Sequence, residues 1–281
     1  MKNIGFEHLK DKVCVITGGS GVLGVALTEG LLKCGIKTAI IGTNLEKAVS
    51  TAKKLQDIHG TICIGVQANV LDKASLIDAK KIINEKFGKI DFLINGAGGN
   101  SPRATTQIEQ LIDKNDLEKS FFGLDPDAFG NVFALNFTGT LLPSMIFGID
   151  MLEKGKGAIL NISSMNSFKP LTKIAAYSAA KSSVNNFTQW LAVHLAKTGV
   201  RVNAIAPGFF LTDQNRFLLT DEKTGAPTAR GLKIISNTPM GKYGKPEDLQ
   251  GACLFLLSDL SEFLTGVILP VDGGYNAFGG V

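Results

Sequence analysis

A chain of 281 residues with 44% hydrophobic and 19% charged residues has the composition of a well-buried core and not of a disordered segment. Its formal charge of +4 is small for that length, and no basic run carries interleaved aromatics, which argues against a nucleic-acid surface. The longest apolar stretches are broken by Gly, Lys or Asp well short of the roughly 20 residues a membrane span needs.

From the amino end, short β-branched runs alternate with longer helical patterns, as in βαβ units. Strands are expected at Val13 to Thr17, Thr38 to Ile41, Thr61 to Val66, Phe92 to Ile94, Ala158 to Ile162, Arg201 to Ile205 and Val267 to Leu269. Several are apolar almost throughout, the pattern of a parallel sheet covered on both faces. The clearest helix runs from Lys73 to Phe87, with Asp72 as N-cap and Gly88 just past its end. With no low-complexity linker and no repeat, the expectation is one domain over 1–281. Its fold class is α/β, a single Rossmann-type doubly wound parallel sheet of about seven strands with helices on both faces. Two polar segments punctuated by glycine and proline, about 98–130 and 208–244, break the rhythm. Both follow strands, where open α/β sheets place their ligands.

The first strand runs into Thr17-Gly18-Gly19-Ser20-Gly21-Val22-Leu23-Gly24 and then a helix. Glycines at such a turn let the backbone approach a pyrophosphate resting on the helix N-terminal dipole. Asn95-Gly96-Ala97-Gly98 after strand four and Asn69 after strand three support the same reading, with Asn69 placed to meet an adenine ring. Tyr177 and Lys181 stack on one helix face at about 3.6 residues per turn. A free tyrosine has a pKa near 10. A nearby cation favours the phenolate, which makes Tyr177 an acid/base for a hydroxyl or carbonyl, and the cation here is Lys181. Ser164 closes the strand Ala158-Ile159-Leu160-Asn161-Ile162-Ser163-Ser164, with its hydroxyl at the strand's carboxyl end.

Taken together these segments resemble the short-chain dehydrogenase/reductase family over essentially the whole chain. The motifs are the Thr-Gly-x-x-x-Gly-x-Gly turn, the Asn-Asn-Ala-Gly motif after strand four, the Ser with Tyr-x-x-x-Lys, and the Pro-Gly after strand six, here Pro207-Gly208. The resemblance implies a fourth catalytic residue, Asn136 in Ala134-Leu135-Asn136-Phe137-Thr138-Gly139, holding a water that links Lys181 to solvent, and a second role for Lys181 on the nicotinamide ribose. It also implies a homotetramer built through helices. Val22 stands at the middle glycine of the phosphate loop, so a slightly altered turn is expected there. Gly96 replaces the second asparagine of the strand-four motif and is expected to change little, and Asn69 replaces a frequent aspartate.

The cofactor-binding residues so expected are Gly18, Ser20, Gly21, Val22, Leu23, Thr43, Asn44, Asn69, Val70, Asn95, Gly96, Ala97, Tyr177, Lys181, Pro207, Gly208 and Thr212. The cofactor is NAD(P). A carboxylate after strand two would exclude NADP, but the chain has Gly42-Thr43-Asn44, with no arginine either, which tips the choice slightly toward NADP.

Segments from Gly98 to Thr106, Ser163 to Lys173 and Gly208 to Leu219, with Thr238-Pro239-Met240-Gly241 and Val271-Asp272-Gly273-Gly274-Tyr275, resemble the D-mannonate oxidoreductase (fructuronate reductase) branch of that family. That implies reduction of D-fructuronate to D-mannonate. Independently, Arg103, Lys169, Lys173, Arg216 and Arg230 fall in loops expected to overhang the site, and arginine binds a carboxylate in a planar bidentate way. Substrate contacts are expected from Asn100, Arg103, Ser164, Asn166, Tyr177, Asn215 and Arg216. Competing readings are a reductase of another keto-sugar acid such as 5-ketogluconate, a reductase of a 3-oxoacyl thioester, or a nucleotide-sensing protein without catalysis. Cys14, Cys34, Cys63 and Cys253 lack zinc or disulfide spacing, and His8, His59 and His194 form no ligand cluster, so no metal is expected. The stretch from Met1 to His8 has no apolar signal, and a cytoplasmic protein is expected.

Overall fold

The apolar runs become the strands of one parallel sheet in a computed structural model that describes residues 5–212, 216–221 and 224–280. They are β1 (Val13–Thr17), β2 (Lys37–Gly42), β3 (Cys63–Gln67), β4 (Phe92–Asn95), β5 (Gly157–Ile162), β6 (Val200–Pro207) and β7 (Ile268–Val271). The seven strands lie in the order β3-β2-β1-β4-β5-β6-β7, with every neighbour parallel. This is the doubly wound arrangement in which the strand order reverses beside β1, opening a crevice at the carboxyl ends of β1 and β4. The edge strand β3 starts later than its β-branched sequence suggests, because the Thr61 hydroxyl leaves the sheet to donate to the Leu32 carbonyl. Pro270 is accommodated in β7 because this strand, too, lies at an edge.

The helices are α1 (Val22–Lys33), α2 (Leu45–His59), α3 (Lys73–Phe87), α4 (Pro126–Lys154), α5 (Ala175–Leu195), α6 (Arg216–Leu219), α7 (Ala229–Ser236) and α8 (Gln250–Leu257). Alternate residues of a strand face opposite ways, so each strand feeds two cores. Cys14 and Ile16 of β1 pack with Leu27, Leu31, Ala52 and Cys253 from α1, α2 and α8. Val13 and Val15 pack with Leu76, Phe147 and Ala192 from α3, α4 and α5. In α3, Asp72 accepts from the Ala74 N–H at 2.9 Å and Gly88 leaves the helix at φ 81°, as its sequence signals require.

Helix α4 departs from expectation. Its 29 residues form, among the described residues, the helix long and apolar enough by length and composition to cross a membrane, with half of its most apolar window buried in the fold. The residues that break its apolar character are satisfied internally. Thr140 donates to the Asn136 carbonyl, Ser144 donates to the Thr140 carbonyl, and Asp150 accepts from the Ile90 N–H. Met145, Ile149 and Leu152 are instead exposed. The helix also begins at Pro126, capped by Asp125, so the end of the expected 98–130 loop is helical. The remainder of that segment holds short 3-10 turns at Pro102–Ala104, Lys114–Lys119 and Phe121–Gly123. The 208–244 segment contains α6 and α7.

Candidate active site

The carboxyl ends of the central strands and the amino end of α1 enclose a cleft of about 660 Å³. Gly18 turns the chain out of β1 at φ 68°, its N–H donating to the Ile41 carbonyl. A Cβ there would come within 2.9 Å of Ala97 Cα, and one at Gly24 within 2.4 Å of the Gly18 carbonyl oxygen. The two glycines therefore let the β1 turn, the β4 turn and α1 approach one another more closely than side chains permit. Helix α1 starts after Gly21 without a side-chain cap, and Ser20, Gly21, Val22 and Leu23 line the cleft. Uncapped leading N–H groups and a cradle that a Cβ would fill suit a pyrophosphate. Val22 is simply the first helical residue, and the Gly21 N–H closes the turn on the Gly18 carbonyl at 2.9 Å.

Thr43, Asn44, Asn69, Val70, Gly96, Ala97, Pro207, Gly208 and Thr212 line the same cleft. Asn95 does not. It is buried, and its amide donates to Ser144 Oγ at 2.9 Å and Asn161 Oδ1 at 2.8 Å, tying β4 to α4 and β5. Gly96 is less neutral than its sequence context suggests, since a Cβ would fall 2.9 Å from the Thr17 carbonyl oxygen. The Gly96 and Ala97 N–H groups both donate to Thr17 Oγ1, locking the two turns together.

On the other wall, β5 delivers Ser164 and α5 delivers Tyr177 and Lys181. Lys181 is buried, its Nζ donating to the Ile162 carbonyl at 2.7 Å and lying 5.6 Å from the centre of the Tyr177 ring. Burial lowers the lysine pKa to about 8. The Tyr177 phenol is pushed up by burial, opposed by its hydrogen bond with Ser164. The Lys181 ammonium is committed to the Ile162 carbonyl, and the pull opposing burial on the phenol comes from Ser164. Asn136 is fully buried, donating to the Gly99 and Val132 carbonyls at 2.7 and 2.8 Å and accepting from the Gly99 N–H. A Cβ on Gly98 would lie 2.6 Å from Asn136 Oδ1 and 3.4 Å from Lys181 Nζ, so this glycine lets the two side chains converge.

The expected substrate cations are placed differently. Arg103 pairs with Asp125, the cap of α4, and its side chain is 77% exposed. Lys169 donates to the Phe278 carbonyl and Lys173 to the Gln107 carbonyl. Arg216 is exposed at the start of α6, and Asn215 lies outside the described residues. None of the expected cations lines the cleft among the described residues. Asn100 donates to Thr105 Oγ1 at 3.0 Å. Asn166 is buried with its Oδ1 unpartnered, a lone acceptor beside Ser164.

A family model described as short chain dehydrogenase matches residues 12–223. The chain belongs to the short-chain dehydrogenase family. It is 50% identical over 276 residues, 98% of each chain, to the uncharacterized oxidoreductase UxuB of Bacillus subtilis (strain 168). A Haemophilus influenzae crystal structure, with bound NAD and the provisional name D-mannonate oxidoreductase, is 46% identical with a TM-score of 0.93, covering 99% of this chain and 100% of that one. A gluconate 5-dehydrogenase from Burkholderia cenocepacia J2315, in complex with NADP and tartrate, is 29% identical with a TM-score of 0.81, covering 96% of this chain and 97% of that one.

This short-chain dehydrogenase is thus an NAD(P)-dependent oxidoreductase of alcohol groups, acting on a small molecule. The slight preference for NADP is not supported, since one similar structure holds NAD and another NADP. The sequence reading also missed Lys47. It stands on the first turn of α2 and lines the cleft beside Thr43 and Asn44, while Asn44 Oδ1 accepts the Lys47 N–H as the helix cap. The available signal was helical: a cation three residues after an N-cap at the end of the second strand.

Proposed function

We propose that this dehydrogenase moves a hydride between a nicotinamide cofactor and the keto or hydroxyl carbon of a sugar acid, with reduction of D-fructuronate to D-mannonate the reaction it fits best. The observation that carries the chemistry is that Ser164, Tyr177 and Lys181 line one cleft with the turn of Gly18 and Gly21 and the start of α1, which suits a pyrophosphate. The likeness to the Haemophilus structure supports the substrate.

A nicotinamide held in this cleft would supply or receive the hydride. Tyr177 gives its phenolic proton to the carbonyl oxygen in reduction and takes it back in oxidation. Ser164 holds the phenol and the reacting oxygen in line. Lys181, its pKa lowered by burial, stands behind the phenol to return a proton to the phenolate. Asn136 fixes the Gly98-Gly99 backbone beside Lys181. The expected substrate contact from Asn166 is not carried by the geometry, since its Oδ1 is buried and the residue does not line the cleft. Gly18, Gly21 and the start of α1 take the pyrophosphate, and Thr43, Asn44 and Lys47 take the adenosine ribose. Exposed apolar residues on α4 and α5 make the subunit contacts of a homotetramer, and the free cysteines suit a reducing cytoplasm.

A second reading, reduction of 5-ketogluconate, is favoured by the likeness to the gluconate 5-dehydrogenase. Initial rates with fructuronate, tagaturonate and 5-ketogluconate, each against NADH and NADPH, separate the two. Fructuronate is expected to have the highest kcat/KM, and a higher value for either other acid overturns the assignment. Tyr177→Phe is expected to lower kcat by about 10²–10⁴-fold with cofactor Kd nearly unchanged. Retained turnover would show that the acid/base group lies elsewhere.

A further inference from the structure

Ser164 is useful to Tyr177 only if the loop that carries it stays in register with α5. The 3-10 turn Met165–Ser167 follows Ser164 directly, and a chain of side-chain hydrogen bonds ties it to that helix. Ser163 Oγ donates to Asn185 Oδ1 at 2.5 Å, and Asn185 Nδ2 donates to Ser167 Oγ at 2.7 Å. Ser167 Oγ in turn donates to the Ser164 carbonyl, and the Ser182 hydroxyl, shared with the Ser178 carbonyl, donates to the Ser167 carbonyl at 3.0 Å. Tyr177, Lys181 and Asn185 follow one another at intervals of four on α5, so one helix face carries both the phenol and the clamp.

We propose that Asn185, with Ser167, is a positioning residue that locks the Ser164 backbone to α5 and so holds the Ser164 hydroxyl against Tyr177. The inference rests on the reading of Ser164 and Tyr177 as the acid/base pair. Asparagine suits the position because its amide accepts from Ser163 and donates to Ser167 at the same time. Aspartate keeps the acceptor and loses the donor, and leucine loses both.

Loosening the clamp weakens the one interaction that opposes the upward push of burial on the phenol. Oxidation of the hydroxy acid needs the phenolate, so kcat/KM for oxidation rises with pH through the phenol's midpoint. That midpoint moves up when Ser164 is less well held. A purely structural role would lower the folded fraction and leave the midpoint in place.

The test is the pH profile of D-mannonate oxidation for wild type, Asn185→Leu, Asn185→Asp, Ser167→Ala and Asn185→Leu/Ser167→Ala, with cofactor Kd measured on each. Asn185→Leu is expected to lower kcat by roughly 10–100-fold, to move the midpoint upward and to leave cofactor Kd unchanged. The double variant is expected to be little worse than the poorer single one, because both break the same bond. If Asn185→Leu does not fold, Asn185→Asp and Ser167→Ala carry the same expectation. A wild-type midpoint in every folded variant overturns the clamp, as does full additivity of the two substitutions. Tyr177→Phe run alongside keeps the two readings apart. If it retains turnover, the acid/base assignment has failed. If it is inactive while the clamp variants keep the wild-type midpoint, only the clamp has failed.

Discussion

Arg103 pairs its guanidinium with Asp125 and does not line the cleft. Asp125 in turn caps α4, accepting from the Asp127 and Ala128 N–H groups, and these bonds with Arg103 beside them hold its carboxyl below the usual range. The arginine therefore anchors the segment before α4 to that helix's first turn. Arg103→Ala is expected to change kcat/KM for the sugar acid and for an analogue bearing a hydroxymethyl group in place of the carboxylate by the same factor. A loss confined to the acid would place the guanidinium on the substrate after all. The contrast with Tyr177 shows where sequence suffices. The period of a helix puts Tyr177, Lys181 and Asn185 on one face whatever surrounds them, and strand order brings Ser164 to the same end of the sheet. The partner of a loop cation depends on how the loop packs, and no spacing rule links Arg103 to Asp125 or leaves Asn166 Oδ1 unpartnered. Burial and Ser164, which shift the phenol's acidity in opposite senses, are likewise set by packing and not by spacing.

Helix α5 has two working faces. One turns Tyr177, Lys181 and Asn185 inward, and the other leaves Trp190 and Val193 exposed, the latter at 79%. Phe137 of α4 meets Phe187 edge to face, and Phe187 stacks on Trp190, which stacks in turn on His194. Exposed Met145, Ile149 and Leu152 extend the apolar surface along α4. This is the surface on which the proposed homotetramer would be built. Val193→Glu is expected to lower the sedimentation coefficient from that of the proposed homotetramer, with the monomer fold kept by circular dichroism. An unchanged sedimentation coefficient would place the contact elsewhere. At this scale the strands were legible because parallel strands are continuously apolar, and α3 because both caps are written in its sequence. Helix α4 was harder. Gly139, Pro143 and Ser144 are each buried, and the helix runs through them without a break.

Across the whole molecule, buried titratable groups give stability a definite pH dependence. Lys181 has a folded pKa of about 8, below its value in an unfolded chain. The unfolded state therefore holds more protons between about pH 8 and 10.5, and this group makes the fold more stable as pH rises through that window. Cys63 and Cys253 act in the opposite sense. Burial raises both thiols to about 12, so above the free thiol value near 8.5 the unfolded state loses protons first and stability falls. Thermal melts of wild type and Lys181→Met across pH 7–10.5 separate the two effects. Relative to the variant, wild type is expected to gain Tm with rising pH, and parallel curves would show that Lys181 is solvated.

The placement of β1 in the sheet also governs how the chain is made. This first strand pairs with β2 and with β4, Cys14 opposite Phe92. It stays half-paired on the ribosome until that distant segment emerges, and closure over so long a loop is slow. Once β4 arrives, the block β3-β2-β1-β4 can form with the phosphate cradle already in place. Ser164, Tyr177 and Lys181 come later, on the far side of the sheet. Between the two blocks α4 emerges with its long apolar surface, before β5 and α5 exist to cover it. Synthesis thus lays down the nucleotide half before the reactive half, with the apolar surface of α4 emerging between them.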